Sequence, residues 1–260
     1  MTVLDGLAEE ARRRVAEAEK AVPLEEMRRR SSAAPGTGFP FEEALRKEGM
    51  SLICEVKKAS PSKGVISGSF PYLEIAKEYE EAGASCISVL TEPSRFLGSL
   101  DHLREISAAV KIPVLRKDFI VDEYMVHEAK CAGASAVLLI CSLLGEEELR
   151  RLIGVCDSLS LSALVEAHDE KEISEALGCG ARIIGVNNRD LRDFSVDHTN
   201  CLRLRGMVPD NVVFVAESGI KSRRDIEDLE NSGVDAVLIG ETLMRSGDRK
   251  AKIRELRGLA

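Results

Sequence analysis

Short apolar runs rich in β-branched residues recur along this chain, and several close on an ionisable or polar residue, each time at the C-terminal end. Eight such runs predict strands: Leu52 to Lys57, Cys86 to Leu90, Pro113 to Lys117, Ala136 to Ile140, Ala163 to Glu166, Arg182 to Asn187, Val212 to Glu217 and Ala236 to Ile239. Between them the apolar spacing becomes helical, as in Tyr72-Leu73-x-x-Ala76-x-x-Tyr79, Leu149-x-x-x-Ile153 and Ile226-x-x-Leu229. Successive runs begin roughly 26 residues apart, the length of a strand, a helix and two short loops. Small turns such as Ala82-Gly83-Ala84, Ala132-Gly133-Ala134, Gly178-Cys179-Gly180-Ala181 and Ser232-Gly233-Val234 place Gly where a helix must end before the next strand. The expected fold is α/β: a (β/α)8 TIM barrel with an N-terminal helical extension.

Residues 1 to about 48 fall outside the repeat. Val3, Leu4, Leu7, Ala11, Val15 and Ala18 share one helical face, Pro23 opens a second short helix, and Ser31 to Phe39 reads as a connector. The plain expectation is a cap over the bottom of the barrel; the alternative is an extension that also borders the substrate. With 260 residues, 44% of them hydrophobic, one domain spanning the whole chain is expected.

In a closed parallel barrel all C-terminal strand ends converge on one mouth, so residues far apart in sequence become neighbours there. A buried strand has no packing reason to end repeatedly on charge. Alternation gives Glu55 and Lys57 one direction, and Lys117, Glu166, Asn187 and Glu217 share the parity of the apolar residues two positions before them. If that parity is the interior one, two ammonium groups and three carboxylates face each other above the core. That excess of negative charge predicts either a glutamate with a raised pKa or a balancing role for Arg189.

Glu217-Ser218-Gly219-Ile220 and Ile239-Gly240-Glu241-Thr242 follow the last two strands. These are the loops where barrel enzymes hold phosphate, and each Gly is expected to open onto a helix. Ser60-Pro61-Ser62-Lys63-Gly64 is a candidate lid, although its composition equally suits a surface turn. His102, His127, His168 and His198 read as neither ligands nor bases, and His168 falls in a helix-start run. No metal-ligand spacing and no G-x-G-x-x-G after a strand is present, so no metal and no cofactor is expected.

Composition narrows the partners. Lys and Arg number 36 against 44 Asp and Glu, a formal charge of −8 spread along the chain, which argues against nucleic acid or an anionic membrane as partner. A small anionic substrate would need a local cluster of bases. The seven cysteines are scattered singly and read as reduced core thiols, and with no signal-like or membrane-spanning run the expected location is cytoplasmic.

Cys54-Glu55-Val56-Lys57-Lys58-Ala59-Ser60-Pro61-Ser62-Lys63-Gly64 resembles the signature of indole-3-glycerol-phosphate synthase, the ring-closing enzyme of tryptophan biosynthesis. In the same order as in that family follow Arg116-Lys117-Asp118-Phe119-Ile120, Val165-Glu166-Ala167-His168, Gly185-Val186-Asn187-Asn188-Arg189-Asp190-Leu191, Glu217-Ser218-Gly219-Ile220 and Leu238-Ile239-Gly240-Glu241. The resemblance covers nearly the whole chain. It implies a decarboxylating lyase that converts 1-(2-carboxyphenylamino)-1-deoxyribulose 5-phosphate into indole-3-glycerol phosphate with loss of CO2 and water. It further implies Lys117 as general acid, Lys57 as partner of the anthranilate carboxylate or acid for dehydration, and Glu166 as general base. Glu55 and Glu217 would orient the lysines and Asn187 would touch the substrate near the closing ring. Ser60, Ser218, Gly219, Gly240 and the backbone of Glu241 would hold phosphate, while Phe96, Phe119 and Leu191 would wall the aromatic ring. The Glu241 carboxylate is expected to point away from the phosphate. Met125, Asp193 and His198 depart from the common family pattern.

Two other readings fit part of the pattern. A Schiff-base aldolase could use Lys57 or Lys117 as nucleophile, but the aldolases usually carry that lysine on the sixth strand, where Asn187 stands here. A non-catalytic metabolite-binding barrel would explain the phosphate loops and leave the lysine and glutamate pairs without purpose.

Overall fold

The computed structural model describes residues 3–36, 38–61, 63–66, 68–189, 197 and 199–259. Leu191, Asp193, His198 and Ser62 lie outside the described residues. Eight strands close into a barrel: β1 (Ser51–Val56), β2 (Cys86–Leu90), β3 (Val114–Lys117), β4 (Ala136–Ile140), β5 (Ser162–Ala167), β6 (Ile183–Asn187), β7 (Val213–Glu217) and β8 (Ala236–Ile239). All pair in parallel, and the ring closes between β1 and β8, with Ser51 opposite Ala236 and Cys54 opposite Ile239. Observed and expected boundaries agree to within one residue, for a physical reason: strands covered by the barrel interior on one side and helices on the other must be apolar throughout. Ile53, Cys86, Ile87, Leu115, Leu139, Ile184 and Val215 are fully enclosed. Burying each such aliphatic side chain stabilises the fold by about 1.5–3 kcal/mol.

The turns behave as their glycines predicted. Gly83, Gly133, Gly180 and Gly233 have φ between +77° and +92°, a region where a Cβ would be strained. Helix starts are fixed by side chains: Ser99, Asp122, Asp169, Ser222 and Asp248 each accept a backbone N–H of the first turn, worth about 1 kcal/mol apiece.

The N-terminal helices divide their work, which corrects the expectation of a simple bottom cap. The third, Pro40–Leu45, does cap: Ser51 donates to the carbonyl of Ala44 (3.1 Å) and Arg182 to Glu42 (2.8 Å), both at the N-terminal ends of strands. The second, Leu24–Ala33, packs on helix Glu123–Cys131, where Ser31 Oγ lies 2.7 Å from His127 Nδ1 and Arg28 pairs with Glu123 at 2.9 Å. The first, Val3–Ala21, sends Arg14 to Asp118, 2.8 Å away and just beyond the C-terminal end of β3. Its buried Leu7, Ala11 and Val15 carry that arginine up the side of the barrel to the mouth. Six cysteines are buried, but Cys131 is exposed and so is no core thiol.

Candidate active site

The strand ends meet as their parity required. A cavity of about 500 Å3 opens at the C-terminal face, lined by Glu55, Lys57, Lys117, Glu166, Asn187 and Glu217. Ser60, Phe96, Phe119, Arg189, Ser218, Gly219, Gly240 and Glu241 complete the set anticipated from sequence, Leu191 alone being outside the described residues. Leu90, Leu138, Ile140 and Leu238 give the cavity an apolar floor, and Phe96 and Phe119 stand on one wall with ring centroids 6.1 Å apart. Arg245, Thr242, Lys221, Lys63 and Asp118 also line it.

Charge is distributed unevenly over the site. Lys57 Nζ lies 2.5 Å from Glu55 Oε1, a closed pair. Lys117 Nζ is shared, 3.3 Å from Glu166 Oε2 and 3.4 Å from Glu217 Oε2. At such separations an ion pair gains about 4 kcal/mol at an effective dielectric near 20. Burial works against the Lys117 charge, but Glu217, Glu166 and Glu55 outweigh it and hold the ammonium pKa above its ordinary value. Burial would also push Glu166 up; Lys117, His168 and Asn187 overcome that and keep its carboxyl below the usual range. Glu217 goes the other way. Burial raises its carboxyl to about 7, Lys117 opposing and Glu166 adding repulsion. One ammonium cannot satisfy two enclosed carboxylates equally, so the expected glutamate with a raised pKa is Glu217. Arg189 serves Glu241 instead, at 3.7 Å.

Two glycines make this packing possible. A Cβ on Gly185, inside β6, would collide with Glu217 Oε1, and one on Gly240 would collide with Glu55 Oε1 and lie 3.1 Å from Lys57 Nζ. An inward-facing strand glycine marks a close approach, here by the Glu217 carboxylate.

The two phosphate-type loops differ. Gly240 stands directly before the short helix Glu241–Met244, as anticipated. Gly219 does not open onto a helix: the next one, Arg223–Asn231, begins after Ser222, which forms a capping box with Asp225. Instead Ser218 (φ +67°) and Gly219 (φ +89°) form a left-handed turn, tied down by Asn188 Nδ2 donating to the Ser218 carbonyl at 3.2 Å. A tight backbone turn is one of the forms in which N–H groups can meet an anion. The Glu241 carboxylate is held between Arg189 and Arg245, the latter 3.2 Å away. Arg245 escaped the sequence reading, though its i,i+4 spacing from Glu241 was a usable signal.

The candidate lid is partly structured, with Ala59–Ser60 antiparallel to Gly64–Val65 and the Ile66 N–H donating to the Lys58 carbonyl at 2.9 Å. His168 stands at a helix start, as expected, and its ring also turns toward the mouth. It precedes the capping Asp169 of helix Glu170–Gly178, and its Nε2 approaches Glu166 Oε1 to 3.4 Å. The signal available was the spacing Glu166-x-His168, which puts both side chains on one side of the strand end. Behind Lys117, the enclosed Arg116 bonds Thr91 Oγ1 (3.2 Å), the carbonyl of Met125 (2.8 Å) and Asp118 (3.3 Å), so this outward-facing arginine anchors the end of its strand. Among the described residues no group of three or more His, Cys, Asp or Glu side chains is arranged to hold a metal ion.

Comparison with known proteins gives the family. The family model described as indole-3-glycerol phosphate synthase matches residues 4–256. The indole-3-glycerol phosphate synthase of Ruminiclostridium cellulolyticum is 51% identical over 259 residues, covering 99% of this chain and 100% of that protein. The protein of the same name from Mycolicibacterium smegmatis is 46% identical over 255 residues, covering 98% and 93% respectively. Among solved structures, 3-hexulose-6-phosphate synthase from Salmonella typhimurium aligns with a TM-score of 0.67 at 14% identity, over 81% of this chain and 98% of that one, a likeness of fold. By the family match over nearly its whole length, and by relatives sharing about half its residues, this chain belongs to the indole-3-glycerol phosphate synthase family.

Proposed function

We propose that the chain closes the indole ring of 1-(2-carboxyphenylamino)-1-deoxyribulose 5-phosphate, a small anionic phosphosugar derivative, and does so as one domain in the cytoplasm. The observation that carries this reading is the Lys117 ammonium, held charged between Glu166 and Glu217 above an apolar floor. The ring carbon bearing the carboxylate attacks the ribulose C2 carbonyl while Lys117 donates a proton to its oxygen. CO2 then leaves, and the electron pair of the broken C–C bond restores aromaticity. Loss of the new hydroxyl as water, with Glu166 taking the proton from the adjacent carbon, completes the indole. Lys57 pairs with the departing carboxylate or protonates the leaving hydroxyl, Glu55 and Glu217 orient the two lysines, and Asn187 contacts the closing ring.

Ser60, the Ser218–Gly219 turn, Gly240 and the Glu241 N–H receive the phosphate, with Arg189 beside them, and Phe96 and Phe119 receive the aromatic ring. Seven unpaired cysteines suit a reducing compartment, and the dispersed negative charge suits a free metabolite better than nucleic acid. Among the described residues no helix is long and apolar enough to cross a membrane.

The chain has no Trp and 3 Tyr, so an indole product fluoresces over almost no protein background. Purified protein given this substrate should produce indole fluorescence and CO2 in equal amounts, with or without EDTA, because side-chain acid and base suffice. Neither signal from protein that is folded by circular dichroism would leave the binding-barrel reading in its place.

A further inference from the structure

The two oxygens of Glu166 have different surroundings. Oε2 meets Lys117 at 3.3 Å on the cavity side. Oε1 is buried without a well-aligned hydrogen bond, and so is the atom that approaches it to 3.4 Å, His168 Nε2. The other ring nitrogen, Nδ1, lies 3.1 Å from Glu172 Oε2, which also accepts the His168 backbone N–H at 2.8 Å. An imidazole ring therefore sits bracketed between two carboxylates, one belonging to the mouth and one to the helix that follows.

Local chain geometry builds this bracket. Asp169 starts helix Glu170–Gly178, so Glu172 in its first turn folds back over the residue before the cap. Asn200 Nδ2 donates to the His168 carbonyl at 3.1 Å, fixing the backbone from the other side. Burial alone would lower the imidazole pKa, but Glu166 and Glu172 overcome it and raise it to about 10, so the ring is a cation at neutral pH. Around the Glu166–His168 pair stand Lys117 from β3, Asn187 from β6, Glu217 from β7 and, farther off, Glu55 from β1.

Resting on the ring-closure reading above, we infer that His168 is a positioning residue for Glu166: it anchors Oε1 so that Oε2 is the oxygen presented for proton removal, and Glu172 holds the ring in place. Lys117 is busy on the cavity side and cannot also fix the far oxygen. Without His168 the carboxylate is free to turn, and it faces Glu217 with one cation fewer. The role needs no contact between the imidazole and substrate.

The full-length enzyme carrying His168→Ala should lose roughly tenfold to a hundredfold in kcat with KM changed by less than about threefold, as expected when only the transition state loses an interaction. The acidic limb of kcat should move to higher pH, because Glu166 loses a facing cation. His168→Gln, which can donate N–H but carries no charge, should recover part of kcat and keep the displaced limb. Glu172→Gln loosens the ring but leaves it charged across the acidic limb, so it should lower kcat by less and leave the limb in place. Wild-type kcat and limb in His168→Ala overturn the inference, as does a fall confined to KM with the limb unmoved. Imidazole NMR of the wild-type protein is a readout that needs no turnover: a ring titrating above about 9 agrees with the bracket, and one titrating near the ordinary histidine value overturns it. Inactive wild-type protein would instead defeat the ring-closure reading, leaving the NMR result to decide the bracket.

Discussion

The two ends of the barrel handle charge in opposite ways. At the bottom, Arg182 is spread over Glu42 (2.8 Å), Asp157 (2.9 Å) and the ring of Phe39, and Arg46 donates to the carbonyl of Asn211. These groups are partly exposed and mated to one another. At the mouth, Glu166 and Glu217 are enclosed and share the half-buried Lys117, and Glu217 Oε1 is buried there without a hydrogen-bond partner, while the far oxygen of Glu166 faces His168. Ser218 adds a left-handed backbone conformation that a non-glycine residue rarely adopts. Polar groups that complete each other stabilise a fold, whereas polar groups left incomplete around a cavity await a ligand.

Substitutions at the two ends should therefore separate activity from stability. The largest effect is expected for Lys117→Ala, which should lower kcat by about 10² to 10⁴ with a smaller change in KM. Steady-state kinetics giving near wild-type kcat would remove Lys117 from the proton transfer. Next come Gly219→Asp and Gly240→Asp, which bring a carboxylate to the anion site. KM should rise by roughly tenfold or more, and Gly240→Asp should lower kcat as well, since its side chain would strike Glu55 and crowd Lys57. Unchanged KM in both would mean that the phosphate sits elsewhere. Smallest are the changes outside the mouth. Arg182→Ala should cost about 1 kcal/mol or less in urea unfolding and leave kcat as it is. A loss of turnover there would blur the division between the two ends.

Much of this contrast was legible in the chain. Eight strands were readable because burial on both faces demands unbroken apolar runs, and the mouth because a period of two carries Glu55, Lys57, Lys117, Glu166, Asn187 and Glu217 to one side. What escaped depends on partners that the chain brings from elsewhere. Arg116 is buried because Thr91 and the Met125 carbonyl receive its guanidinium, and no local pattern announces that. Arg14 reaches Asp118 from 104 residues away, so the first helix looked like a bottom cap. His168 does stand at a helix start, and only the turn of its ring toward Glu166 was not legible. The capping box of Ser222 and Asp225 was local and readable, and it would have shown that Gly219 belongs to a turn.

The mouth carries a carboxylate at odds with its surroundings, and Glu217 is where it can be measured. A carboxyl whose folded-state pKa is raised to about 7 leaves the wild-type protein less stabilised as pH climbs through that value, since the unfolded chain ionises freely. Glu217→Gln keeps the shape and removes the ionisation. The measurement is the difference in urea midpoint between Glu217→Gln and wild type, followed from about pH 5.5 to about pH 8. The difference should grow in favour of the variant as pH rises, while its kcat falls below that of the wild type. A difference that stays flat or turns against the variant would mean that Glu217 is an ordinary, fully compensated carboxylate.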